Sequence, residues 1–152
     1  MIIQRSLVVS LIGGALIVVS VFLPWILSTY SMPDFGPHSF SAMGLEADEG
    51  QLVLLLGLAS IGILFVKQRL VRVGFGLLLA VVILLVIIYF HQRIASYSLL
   101  LPSDIAQWHT QFGSYIALIG SLILIAGKLI DLIAKVDEEK QLPPSSLPSP
   151  PS

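Results

Sequence analysis

The chain has 152 residues, 56% of them hydrophobic and 11% charged, and its mean hydropathy of +0.95 lies far above that of a water-soluble domain. A surplus of apolar side chains on that scale requires lipid around it. A net charge of −1 gives no electrostatic basis for binding nucleic acid, and the absence of cysteine removes disulfides, thiolate metal sites and cysteine nucleophiles.

Leu7 to Leu27 carries no charge and follows Arg5. A helix needs roughly 20 apolar residues to cross the hydrocarbon core, so this run is the first expected span. A cleaved signal peptide shares the basic residue and the apolar stretch, but this run is long and no small-x-small cleavage site follows it. Pro24 and Trp25 close the span, the proline loosening the last turn and the indole suiting the lipid–water interface.

The loop that follows has two strand-tolerant stretches, Trp25 to Met32 and Ser39 to Leu45, around the turn-rich Pro33-Asp34-Phe35-Gly36-Pro37. These residues fit either a small β-hairpin capping the helices or an irregular loop. Glu46 to Gln51 leads into the next span, where acidic residues favour the positive end of the helix dipole.

Leu52 to Val66, Val73 to Phe90 and Phe112 to Gly127 are three further uncharged apolar runs. None has the polar face that a helix in a soluble bundle needs, so the expected fold is an all-α bundle of four transmembrane helices. Lys67 and Lys128 flank the shorter runs, where their long side chains can snorkel to the interface. Lys128, Asp131 and Lys135 recur at helical spacing, so the fourth helix is expected to continue into the cytoplasm to about Asp137. The transmembrane domain then covers residues 1–137, and the Pro/Ser-rich residues 138–152 form a disordered tail with a weak PxxP spacing over Pro148 to Pro151.

Lysine and arginine near span ends stay in the cytoplasm. Arg5, Lys67, Arg69, Arg72, Lys128, Lys135 and Lys140, seven of the eight basic residues, share one side; Arg93 alone falls on the other, beside Asp34, Glu46, Asp48 and Glu49. Both termini are therefore expected inside.

Gly113, Gly120 and Gly127 recur every seven residues with Ser114 and Ser121 beside them, a strip of small side chains that lets another helix approach closely. The strip serves either packing within the bundle or a second face that recruits another subunit, and Gly120, at its middle, is the expected tightest point. No Asp, Glu, Lys, Arg or His lies inside any expected span, which argues against a pump, an ion-coupled transporter or an intramembrane carboxylate protease. His38, His91 and His109 all fall on the outer side, and Asp104, Glu46 or Asp48 could complete a metal site, but no HxxxH or HxxE spacing supports one. The sequence has no GxSxG and no glycine-rich phosphate loop. No catalytic, cofactor or metal residue is assigned.

Leu23-Pro24-Trp25, then Met43-Gly44-Leu45-Glu46 with Asp48 and Gly50, then Gly113, Tyr115 and Gly120, together resemble a loose group of small bacterial four-span membrane proteins. The resemblance implies a bacterial cytoplasmic membrane protein and carries no activity with it. The topology also looks like the claudin and peripheral myelin protein tetraspan fold, without the paired cysteines of the claudin motif. The leading expectation is a non-catalytic accessory or scaffold subunit whose partners are the bilayer and other membrane proteins. A carrier or binder of a lipid or apolar small molecule is the alternative, and an enzyme of the outer leaflet the third.

Overall fold

The computed structural model describes residues 2–32, 36–100 and 106–141. In chain order the elements are α1 (Ile2–Ser20), β1 (Pro24–Met32), β2 (Gly36–Met43), a 3-10 turn (Gly44–Glu46) and α2 (Asp48–Gly62). A second 3-10 turn (Ile63–Phe65) extends α2, and α3 (Arg69–Leu100), β3 (Ala106–Thr110) and α4 (Phe112–Gln141) follow. Three helical stretches are long and apolar enough to cross a membrane, Asp48–Phe65, Arg69–Tyr97 and Phe112–Ala134, and Arg5–Ser20 is a shorter apolar helix. Four helices with three such spans are the composition of a multi-pass membrane protein.

The expected first span over residues 7–27 is corrected here: its helix ends at Ser20, and the last part of the apolar run is strand. Pro24 has no N–H to continue a helix, and a proline drives the residue before it toward extended backbone. The helix end is satisfied locally. Phe22 and Leu23 donate their N–H groups to the Val19 and Ser20 carbonyls at 3.1 Å, and the Trp25 indole Nε1 donates to the Ser20 carbonyl at 2.8 Å. Trp25 is fully buried, so its indole packs inside the protein and does not face the surroundings.

Buried positions in every helix repeat at alternating spacings of three and four residues. On α3 they are Val73, Gly76, Ala80, Ile83, Ile87, Phe90 and Ile94; on α4, Gly113, Ala117, Gly120, Leu124, Gly127, Asp131 and Ala134. This is the spacing of left-handed, near-parallel helix bundles. Large apolar side chains on the remaining faces, such as Val19, Leu55, Leu78 and Leu85, are exposed, as lipid-facing residues are.

The glycine strip of α4 packs against α1, not outward. A Cβ at Gly13 would lie 2.6 Å from the Leu124 amide nitrogen and 2.8 Å from the Gly120 carbonyl, so the two backbones meet there. One at Gly127 would lie 2.5 Å from Ser10 Oγ, closer than any contact at Gly120, where the nearest is 3.0 Å. The tightest points thus flank Gly120. Buried Ser20, Ser60, Ser114 and Ser121 each donate a hydroxyl to the carbonyl three residues earlier, which satisfies them without lengthening the side chain.

The loop after α1 does form a pair of antiparallel strands; residues 33–35 between them lie outside the described residues. β1 pairs antiparallel with β2, Ser28 opposite Phe40 and Tyr30 opposite His38. The sequence reading did not anticipate β3, which pairs with the other edge of β1, Ser28 opposite Trp108, to give the order β2-β1-β3. The fold is thus helical with a small three-stranded sheet and not all-α. The register of β1 on β2 slips between Pro24 and Ile26, leaving Trp25 out of the ladder. Such an irregularity re-aims a side chain, and here it accompanies an indole turned into the bundle.

α4 continues to Gln141, a few residues beyond the expected boundary at Asp137. The rest of the expected tail, 142–152, lies outside the described residues.

Candidate functional site

At the sheet end, the residues of the Leu-Pro-Trp and Gly-Leu-Glu patterns come together. Gly44 donates its N–H to the Leu23 carbonyl at 3.1 Å, and Leu45 to that of Val21 at 2.9 Å. Gly44 and Gly113 lie directly against the Trp25 indole, where a Cβ would come within 2.6 and 2.7 Å of it. The indole meets the Phe90 ring edge-on, centroids 5.1 Å apart. Gly50 packs on the Gly44 carbonyl, leaving no room for a side chain. Glu46 closes the turn by accepting the Met43 N–H at 2.9 Å, the half of a capping box that an acidic side chain supplies. These contacts fix where α2 begins relative to β1, α3 and α4.

Beside this keystone lies a cavity of about 390 Å³. Its apolar walls are Ile26 of β1, Phe90, Ile94 and Tyr97 of α3, and Trp108 of β3. Ala47 and the carboxylates Glu46, Asp48 and Glu49 at the start of α2 form its rim together with Arg93 of α3, which meets Glu49 there. Arg93 Nη1 bonds the Glu49 carboxylate, its Nε donates to Tyr97 Oη at 3.2 Å, and its guanidinium lies over the Tyr97 ring at 5.7 Å. Tyr97 and Trp108 face each other with centroids 6.2 Å apart. The Trp108 indole Nε1 is buried and has no hydrogen-bond partner among the described residues. A buried indole N–H nearly always finds an acceptor, so this one is a donor in want of an oxygen.

A second polar cluster occupies the opposite end. Arg69 Nε bonds Asp131 Oδ1 at 3.2 Å and its Nη2 the Asp131 carbonyl at 3.1 Å, while Arg72 Nη2 stands 3.6 Å from Oδ2. Lys128 is 2% exposed, its chain laid across Gly76 of α3. The expectation that Lys128 snorkels outward is therefore corrected. Lys128 and Asp131 point into the bundle, and Leu129, Ile130, Leu132 and Ile133 are the exposed residues of this turn. A helix bordering lipid lowers its energy by turning charge toward partners and apolar groups toward acyl chains.

The three histidines do not converge. His91 is half-buried, its Nδ1 2.9 Å from the Ile87 carbonyl and its Nε2 3.4 Å from Ser114 Oγ. His38 stacks near Tyr30, and exposed His109 stands 3.4 Å from Gln107. Among the described residues no group of three or more His, Cys, Asp or Glu could hold a metal; Asp104 lies outside them. Sequence reading passed over Trp108 and the Arg93–Glu49 pair, although a lone basic residue on an otherwise acidic side was a usable signal. Comparison of the chain with protein-family models, curated proteins and solved structures finds no match.

Proposed function

We propose that this protein is a non-catalytic binder of an amphipathic molecule, which it takes into the cavity at the sheet end. The observation that carries the reading is the cavity itself, about 390 Å³ with aromatic and aliphatic walls and charged groups confined to one rim. Concave, largely apolar sites with a few placed polar groups are the usual form of small-molecule sites, and this volume falls in their range. In this reading α1 also crosses the bilayer, the chain passes four times, and the distribution of basic residues sets the sheet end outside.

The accessory-subunit reading is second. Its first support, a free small-residue face, is weakened because Gly113, Gly120 and Gly127 are spent on α1 and the start of β1. What favours it is the outer edge of β2, unpaired among the described residues, with Phe40 57% and Met43 50% exposed.

The test is native mass spectrometry of protein released in a gentle non-ionic detergent. A binder retains a stoichiometric amphiphile adduct that survives detergent exchange. Protein appearing only at its bare mass, or with a continuous ladder of lipid adducts, contradicts the proposal.

A further inference from the structure

Resting on the reading of the cavity as an amphiphile site, we infer that the head group it selects is a cation, an amine or quaternary ammonium. The rim carries three carboxylates, Glu46, Asp48 and Glu49, against the single guanidinium of Arg93. Arg93 is already matched by Glu49, and Glu46 is held by the Met43 N–H, which leaves two carboxylate charges without a counter-ion on the rim. The positive end of the α2 dipole offsets roughly half a charge of this surplus. The remainder still favours a cation and repels a carboxylate or sulfate head.

The walls add a second, independent preference. An indole is the best aromatic partner for an ammonium ion, and Trp108 lines the cavity with Tyr97 and Phe90. Arg93 already uses the Tyr97 ring in this way. Apolar Ile26 and Ile94 suit the chain that follows. The occupant is therefore an amphiphile with an apolar chain and a terminal cation.

The experiment titrates the full-length protein, in non-ionic detergent, with ω-bromo-undecyl probes that differ only in head group: trimethylammonium, alcohol and carboxylate. Saturable quenching of tryptophan fluorescence by the bromine reports binding, and its loss in Trp108→Phe assigns it to Trp108 rather than to Trp25. The trimethylammonium probe is expected to bind about tenfold more tightly than the alcohol, as one ion pair plus a cation–π contact allow, and the carboxylate more weakly than either. The preference should shrink as salt rises. Asp48→Asn is expected to reduce it to about threefold without abolishing binding of the alcohol, and Glu46→Gln, which keeps the acceptor for the Met43 N–H, should act in the same direction. Equal affinity for all three heads overturns the cation inference and leaves the binder standing. Absence of saturable quenching by any probe overturns the binder. Tetramethylammonium, which has no chain, is expected not to compete; full competition at matched concentration would overturn the amphiphile and leave a site for small cations.

Discussion

Asp131→Asn is expected to lower stability by about 2–4 kcal/mol, read as a marked fall in the unfolding temperature in detergent. Asp131 is 5% exposed and is the carboxylate that Arg69 and Arg72 share, with Lys128 buried beside them. Removing one partner of a buried ion pair typically costs about 3–5 kcal/mol, because the other charge remains buried and unmatched. The Arg69 and Arg72 side chains keep 21% and 16% of their exposure, so part of that cost is relieved by water. Asp48→Asn, at an exposed rim position, is the control and should change stability little. Equal unfolding temperatures for Asp131→Asn and the parent would mean that the cluster is solvated and does not tie α3 to α4.

Gly13→Leu is expected to be at least as damaging, about 3 kcal/mol or more. Overpacking in a well-packed core commonly costs about 1–3 kcal/mol, and the cost rises when the obstacle cannot move. At Gly13 the obstacles are backbone atoms of α4, the Leu124 nitrogen and the Gly120 carbonyl, so relief requires moving a whole helix. Gly120→Leu, on the facing side of the same crossing, should follow it. Gly74→Leu provides the internal comparison, since nothing lies within 4 Å of a Cβ there. That variant should be neutral or slightly stabilising, because glycine costs a helix about 0.5–1 kcal/mol relative to alanine. Heat unfolding of the three variants in one detergent checks the order; a Gly13→Leu variant as stable as Gly74→Leu would remove the close α1–α4 contact from the account.

Much of the helical framework is legible in the sequence because lipid imposes a simple code. Uncharged runs of sufficient length appear as helices, and the seven-residue recurrence of Gly113, Gly120 and Gly127 identifies a helix-packing face. The same code misleads where apolar residues serve two purposes. Val21 to Leu27 is as uncharged as the residues before it, yet Pro24 ends the helical reading, Val21 to Leu23 form a turn, and the strand begins at Pro24. β3 is short, its partner β1 lies some 80 residues earlier, and such pairing leaves no local pattern to read. Lys128 was misread for another reason. Snorkelling is the default for a lysine at a span end, and here the open surface of Gly76 on α3, together with Asp131 one turn further along α4, turns the chain inward instead.

The cavity was the least legible feature. Glu46 to Glu49 reads as helix-start chemistry, which it is; Phe90, Arg93, Ile94 and Tyr97 share one face of α3, but no spacing ties that face to Trp108 or to the start of α2. What joins them is the antiparallel return of α3 and β3 to the start of α2, a property of the tertiary fold. Gly44, Gly50 and Gly113 make the approach close enough, so residues that form a loose motif in sequence become the framework of one site in space.

The most direct measurement of whether that cavity holds a ligand is quenching of tryptophan fluorescence by ω-bromo-undecanol in the parent protein and in Ala47→Phe. Ala47 lines the rim, and a phenyl ring there occupies cavity volume without altering a charge. The account predicts saturable quenching in the parent and, in Ala47→Phe, at least a tenfold loss of affinity at unchanged heat stability, since filling a preformed site removes the apolar contacts that drive binding. Identical titrations for the two proteins, or quenching that rises linearly without saturation in both, would mean that the probe merely partitions into detergent around the helices, and would contradict the assignment of the cavity as a binding site.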